Sequence, residues 1–397
     1  MNLDNKYKVQ LIKNMYGCDH LSVAELSKKI KKSIPFTSSL ISEMIEDEVL
    51  EECGLAKSNG GRRPQLYAIK DNNFYTVGVA VNQIKATLAV FDLNGNQIIG
   101  PISRNIRLSK TGEDLVELGE FISESIVESD LDREKILGVG IGMPGFIDSI
   151  KGVNHTFLDS GTSSIVSYLE DVLGFSVFID NDSSLIGLAE LKQGCAKGHP
   201  NALVVNIGWG IGLGVVIAER VFRGEKGFAG EFSHIPLFDN NKICSCGKLG
   251  CLETESSLYV LLDAAREGLT DGAYTSLPDR LPEDPTEAVG LIFEAMKQGD
   301  TFSIGLLRQV GQNLGRGISI LIHLFNPGLI VLSGMGSSPG RYWLPPVQQA
   351  INEHSIGKLA EKIELKISRL GPAAELVGAA ALVVDRLEEV QVLERVN

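Results

Sequence analysis

Val77–Asp92 and Leu203–Ala218 share one layout of strand, tight turn and strand, and no other feature limits the fold of this chain as strongly. Short apolar runs bounded by turn residues read as hairpins. Here they are Tyr75–Val81 with Lys85–Asp92, and Ala202–Ile207 with Val215–Ala218 across a glycine-rich turn, Gly208–Gly214. Strands and helices alternate after each pair. The first is followed by an Asn94-Gly95 turn, a helix over Glu113–Ser129, and a buried strand Ile136–Ile141 ending in Gly142-Met143-Pro144-Gly145. A strand Val177–Ile179, the pair Asn181-Asp182 and a helix Ser183–Gln193 complete that half. The second is followed by a long helix Phe302–Phe325, a strand Ile330–Leu332 and a final helix near Ala373–Glu389. Two such halves imply an α/β chain with two lobes and a cleft, the usual place for a ligand.

The first seventy residues follow other rules. Val9, Ile12, Lys13 and Tyr16 recur at helical spacing over Lys6–Tyr16. Ser22 and Glu25 stand in capping-box spacing before a helix Val23–Ile30. After the turn Lys31-Lys32-Ser33, a third helix opens at Ser33 and Pro35 with Phe36, Leu40, Ile41, Met44 and Ile45 on its apolar face. Two short helices, a tight turn and a third helix make a helix-turn-helix. Two short strands, Val49–Glu52 and Gln65–Ile69, flank a loop through Gly60-Gly61-Arg62-Arg63-Pro64 and form a wing. Arg62 and Arg63 are the expected wing contacts to a minor groove, whose negative potential attracts arginine. Thr37, Ser38 and Ser42 are the expected base readers. The blander alternative is a solvated basic turn. The expected domains are a winged helix over residues 1–70, a first lobe over 71–195 joined by 373–397, and a second lobe over 196–372.

Charge agrees with this division. The whole chain carries a formal −13, yet residues 1–70 hold 11 Lys/Arg against 9 Asp/Glu, and the remainder holds 26 against 41. Only the head is suited to approach phosphate. No apolar run nears the roughly 20 residues of a membrane span, and the start has no signal-peptide core, so the expected location is the cytoplasm with no membrane partner.

Three of the six cysteines crowd into Cys244-Ser-Cys246-Gly-Lys-Leu-Gly-Cys251, with His234 ten residues before the first. In a reducing compartment that crowding favours a metal over disulfides. Three thiolates and one imidazole satisfy tetrahedral Zn2+, and with every position filled by protein the ion would be structural. The alternative is three buried free thiols.

These residues resemble the ROK family of bacterial sugar kinases and sugar-responsive repressors. The motif Cys-x-Cys-Gly-x-x-Gly-Cys-x-Glu stands as Cys244 to Glu253, and Glu-x-Gly-His as Glu231-Phe-Ser233-His234, with serine replacing glycine. Gly-x-Pro-Gly is Gly142–Gly145, the Asn-Asp pair is Asn181-Asp182, and Gly-Ala-Ala is Gly378-Ala379-Ala380. The resemblance covers nearly the whole chain. It implies an actin-like domain with two ribonuclease-H-like lobes of the hexokinase type, following the winged helix. By position, Asn181, Asp182, Glu231, His234 and Glu253 match residues that hold sugar hydroxyls.

The resemblance also implies phosphate loops, and here the sequence departs. Asp-x-Gly-Gly-Thr-Lys is replaced by Ala80-Val81-Asn82-Gln83-Ile84-Lys85, and Gly-Thr-Gly by Gly208-Trp209-Gly210. Phosphoryl transfer rests on positioning and charge neutralisation, so Asp182, the position of the kinase base, becomes vestigial for catalysis. The reading is a sugar-responsive repressor, a homodimer or homotetramer on operator DNA, and not an enzyme. The competing reading is an active ATP-dependent sugar kinase.

Overall fold

The computed structural model describes residues 5–57, 63–109, 113–158 and 164–390. The chain forms two compact units, Met1–Leu185 with Glu375–Asn397, and Ile186–Ala374.

The head is α1 (Lys6–Met15), α2 (Val23–Ile30) and α3 (Ile34–Glu46) with a three-stranded sheet. The strands are β1 (Leu21–Ser22), β2 (Leu50–Leu55) and β3 (Gln65–Ile69), in the order β1-β3-β2. The capping box forms: the Ser22 amide donates to Glu25 Oε2 at 2.8 Å, and the Glu25 amide to Ser22 Oγ at 3.4 Å. Ser33 caps α3 and Pro35 sits in its first turn, where a missing N–H costs nothing. Leu11, Ile12, Met15, Leu26, Leu40, Ile41, Met44 and Leu50 are buried and make the core of the head.

Tyr16 lies just past α1 as its C-cap. Lys13, read as part of the apolar face, instead sends its Nζ to the Asp385 carbonyl at 2.6 Å and to the Glu388 carboxylate.

The first α/β sheet comprises β4 (Tyr75–Val81), β5 (Ala86–Asp92), β6 (Gln97–Arg104), β7 (Ile136–Met143) and, after the small hairpin β8 (Ile147–Asp148) and β9 (Val153–Asn154), β10 (Val177–Asn181). Its order is β10-β7-β4-β5-β6, with β4, β5 and β6 antiparallel and β7 and β10 parallel to β4. Helices α4 (Glu113–Glu128) and α5 (Ile165–Leu173) cover it, and α6 (Asp182–Lys192) follows β10 directly.

The second sheet comprises β11 (Ala202–Ile207), β12 (Ile211–Ile217), β13 (Arg220–Val221), β14 (Leu329–Ser333) and β15 (Glu364–Ile367), in the order β13-β12-β11-β14-β15. Again three strands are antiparallel and two parallel. The two sheets thus share one topology, the structural counterpart of the repeated strand pattern.

One boundary moves. The stretch Gly208–Gly214 is a turn only to Gly210, and Ile211–Ile217 is strand. Ile211, Leu213 and Val215 alternate into the core, and Gly214 lies where Gly187 of α6 approaches it, at 3.1 Å from a Cβ built there.

The C-terminal helix Ala374–Asp385 packs on the first sheet at backbone distance. A side chain at Gly140 would overlap the Ala379 carbonyl, and one at Gly78 the Leu376 carbonyl. Glycines on these strands therefore admit the helix.

Candidate functional site and metal centre

His234 ends a short 3-10 turn, Phe232–His234, and the cysteines lie on the loop that follows. The loop is held by two isolated bridges, Pro236 with Cys251 and Ile243 with Leu249. Gly250 has φ +72°, and a side chain there would overlap the Phe238 carbonyl, so only glycine allows the return towards His234.

The ligand atoms of His234, Cys244, Cys246 and Cys251 all lie within 4.8 Å of one another. Cys246 Sγ to Cys251 Sγ is 3.6 Å, and Cys244 Sγ to His234 Nδ1 is 3.4 Å. Metal–ligand lengths of ~2.3 Å to sulfur and ~2.0 Å to nitrogen give tetrahedral edges of about 3.8 Å and 3.5 Å. The residues therefore fit a tetrahedral thiophilic cation. Burial, then the neighbouring Cys246 and Cys244, pushes the Cys251 thiol up to about 12. Three clustered thiols of this kind ionise together only against a cation.

The surroundings tie this centre to the predicted sugar contacts. His234 Nε2, the nitrogen left over, lies 3.6 Å from Glu231 Oε2. Glu253 Oε1 accepts from Ser245 Oγ at 3.3 Å and from Cys244 Sγ at 3.6 Å. Its Oε2 accepts from the Ile211 amide at 3.4 Å and lies against Gly210. One carboxylate thus connects the cysteine loop with the turn Gly208–Gly210. Trp209 in that turn stacks on Tyr259 with ring centroids 5.0 Å apart.

Asn181 and Asp182 belong to the other unit, at the carboxyl end of β10. Asn181 Oδ1 accepts from the Ser183 and Ser184 amides at 3.0 and 3.2 Å, which caps α6, and its Nδ2 donates to the Gly145 carbonyl at 3.3 Å. Asp182 Oδ1 accepts from the Ser183 amide at 2.7 Å and hydroxyl at 3.1 Å. Burial pushes its carboxyl up against those donors.

Glu375, in the first turn of the C-terminal helix, was missed by sequence reasoning. It lies over Gly142: a Cβ built on Gly142 would sit 2.8 Å from its Oε1. That oxygen is buried with no hydrogen-bond partner. Burial, then the Asp182 charge, raises its carboxyl well above the ordinary value. No motif marks Glu375; its one sequence signal is an acid ahead of the apolar run Leu376–Val384.

The turn at Asn82–Lys85 closes on itself. Asn82 Oδ1 accepts from the Ile84 and Lys85 amides at 2.9 and 3.0 Å, and the Asn82 amide donates to the Lys85 carbonyl at 3.0 Å.

In the head, Ser38 and Ser42 are exposed on α3. Thr37 corrects the expectation. It is fully buried and its hydroxyl donates to the Ser33 carbonyl at 3.0 Å, so it faces the core and reads no base. Arg63 is exposed at the foot of the wing, and Arg62 lies outside the described residues.

Among the described residues no helix is long and apolar enough to cross a membrane. The xylose repressor of Caldicellulosiruptor bescii is 27% identical over 388 residues, covering 95% of each chain. The glucokinase of Thermotoga maritima is 30% identical over 315 residues, covering 76% of this chain and 99% of the kinase. A solved ROK family transcriptional regulator, a homologue of the E. coli Mlc protein, superposes with a TM-score of 0.77 at 25% identity and 96% coverage of both chains. The ROK family model matches residues 76–386. By that match, and by the two-sheet fold beneath it, the chain belongs to the ROK family.

Proposed function

We propose that this chain is a cytoplasmic, sugar-responsive transcription repressor that binds operator DNA as a homodimer or homotetramer and binds its effector without phosphorylating it. One observation carries this reading. The xylose repressor matches the chain end to end, head included, whereas the glucokinase accounts for an extent similar to the ROK match alone.

The winged helix over 1–70 contacts the operator, through Ser38 and Ser42 on α3 and through Arg62 and Arg63 on the wing. The lobes over 71–195 with 373–397, and over 196–372, form the effector domain. Asn181, Asp182, Glu231, His234 and Glu253 hold sugar hydroxyls. Carboxylates accept from a hydroxyl while amides and imidazole both donate and accept, so a mixed set of this kind suits a polyol. Asn181 enters through the free capacity of its Nδ2, since its oxygen is spent on α6.

His234, Cys244, Cys246 and Cys251 hold a structural Zn2+. The ion supplies a fixed cross-link between the loop and the turn carrying His234. The chain's own Glu253 then passes that rigidity to Gly208–Gly210.

Absence of phosphotransfer is supported by the loops. A phosphate cradle presents unengaged amides, but the Ile84 and Lys85 amides are taken by Asn82. Asp182 keeps a hydrogen-bonding role and lacks a catalytic one. The sugar acts through unequal affinity for two conformations, which is what couples the two sites.

The test combines selection and turnover. Duplexes selected from a random library by the purified chain should bind tightly, and one member of a sugar panel should shift that affinity, with the shift lost in Asp182→Asn. ADP release with ATP, magnesium and any sugar of the panel overturns the reading.

A further inference from the structure

We propose that α3 reads its operator chiefly through apolar contact of Ile34 with thymine methyl groups. This rests on the reading of the head as a DNA-binding domain.

The usual base-reading side chains are missing from α3. Its sequence, Ile-Pro-Phe-Thr-Ser-Ser-Leu-Ile-Ser-Glu-Met-Ile-Glu, contains no Arg, Lys, Asn, Gln or His. Those are the side chains that pair bidentately with guanine or adenine edges. The outward residues are Ile34, Pro35, Phe36, Ser38, Ser39, Ser42, Glu43 and Glu46. Several are engaged within the head. Phe36 meets the Tyr7 ring edge-on at 5.3 Å, Glu43 lies 3.6 Å from Lys8 Nζ, and Ser42 donates to the Ser38 carbonyl at 3.1 Å.

Ile34 is different. It is 56% exposed at the first position of the helix. The N-terminal residues of a recognition helix are the ones that reach base edges. A lone exposed apolar side chain is ordinary on a protein surface, so exposure alone decides nothing. Charge decides. Lys28 and Lys29 in the last turn of α2, and Lys31 and Lys32 in the turn that leads into α3, are all exposed, and none forms an ion pair with a described residue. Lys6 and Lys32 flank the Tyr7 ring at 5.2 and 4.7 Å beside them. An apolar first residue that follows a run of exposed lysines without carboxylate partners matches a groove whose walls are phosphate and whose floor carries methyl groups. Among base edges only thymine offers an apolar group to the major groove.

Replacing thymine by deoxyuridine removes that methyl and leaves every hydrogen-bonding group in place. The probe is a duplex selected from a random library by the full chain, made with thymine or with deoxyuridine and measured by fluorescence anisotropy at one stated salt. The deoxyuridine duplex should bind the wild type about fourfold more weakly per contacted methyl, the effect of one buried carbon. In Ile34→Ala the thymine and deoxyuridine duplexes should bind alike, while Ser38→Ala should keep the difference. Equal wild-type affinity for both duplexes overturns the proposal, as does a full deoxyuridine penalty in Ile34→Ala. Failure of the library to yield any bound duplex overturns the DNA-binding reading itself.

Discussion

Replacing Glu375 by Gln should change how stability depends on pH, in a direction fixed by the structure. Glu375 retains part of its surface, but its Oε1 is buried without a partner and faces the Gly142 backbone. Burial, and then the Asp182 charge, disfavours the ionised form, so the folded-state pKa lies above the ordinary 4.5. The folded chain then holds a proton that the unfolded chain has released. Stability from this group is complete below the unfolded pKa and is lost as pH rises through the folded one. The slope within that window is about 1.4 kcal/mol per pH unit. The positive end of the helix favours the ionised carboxylate by only about 0.3–1 kcal/mol, less than one unit of that slope. In a unit of this size, 1 kcal/mol moves Tm by about 2–4 °C. Gln has the same shape and no charge. The Tm of Glu375→Gln minus that of the wild type, measured every half unit from pH 5, should therefore rise by about 3–6 °C per unit before levelling. Titrating groups that do not couple to Glu375 cancel in the difference, and the one that does, Asp182, is part of the same buried pair. A flat or falling difference would refute the argument that this carboxyl is held protonated.

Purified chain should contain about one zinc by elemental analysis, and Cys246→Ser should lower it about tenfold or more and reduce Tm; full zinc content in that variant would remove Cys246 from the ligand set. Gly378→Ala should destabilise by about 1–3 kcal/mol or more, because the added methyl would overlap the Leu185 carbonyl; an unchanged Tm would contradict that close approach. Ser22→Ala should cost about 1 kcal/mol and Ser22→Gly a few tenths, read by denaturant titration; unchanged stability in Ser22→Ala would mean that the capping oxygen contributes nothing.

How far the fold was legible depends on which residues carried it. The strands β4, β5, β11 and β14 came from apolar runs with turn residues at their ends, a local signal. The strand at Ile211–Ile217 was cut short because Gly212 and Gly214 looked like a turn, and glycine does favour turns. What overrides it is tertiary: α6 passes so close that a Cβ on Gly187 would lie 3.1 Å from the Gly214 Cα. Thr37 shows a different failure. Thr37, Leu40, Ile41 and Met44 stand three, four and seven apart, the spacing of one buried stripe. Helical phase placed Thr37 inward, and reading exposure from polarity alone put it outside. Burial costs its hydroxyl little because the Ser33 carbonyl accepts from it. Glu375 was beyond local reading, since its meaning comes from Gly142 and Asp182, both far away in sequence.

The two loops that would cradle phosphate in a kinase show how a substitution reaches past its own position. A buried or crowded amide must find an acceptor. In a nucleotide site the acceptor is the ligand, so the loop depends on it for satisfaction. Here Asn82 provides the acceptor from within the turn, holding the Ile84 and Lys85 amides. At the second turn Gly208 donates to the Gly210 carbonyl at 2.9 Å, and Glu253 takes the Ile211 amide. Glu253 also holds the cysteine loop through Ser245 and Cys244. Each turn thus has amides held from within the chain, and one of them takes its acceptor from the residue that closes the metal motif. On the proposed reading, the ordering that a kinase obtains from ATP is supplied in this chain by its own side chains. The effector then has only the hydroxyl contacts through which to act.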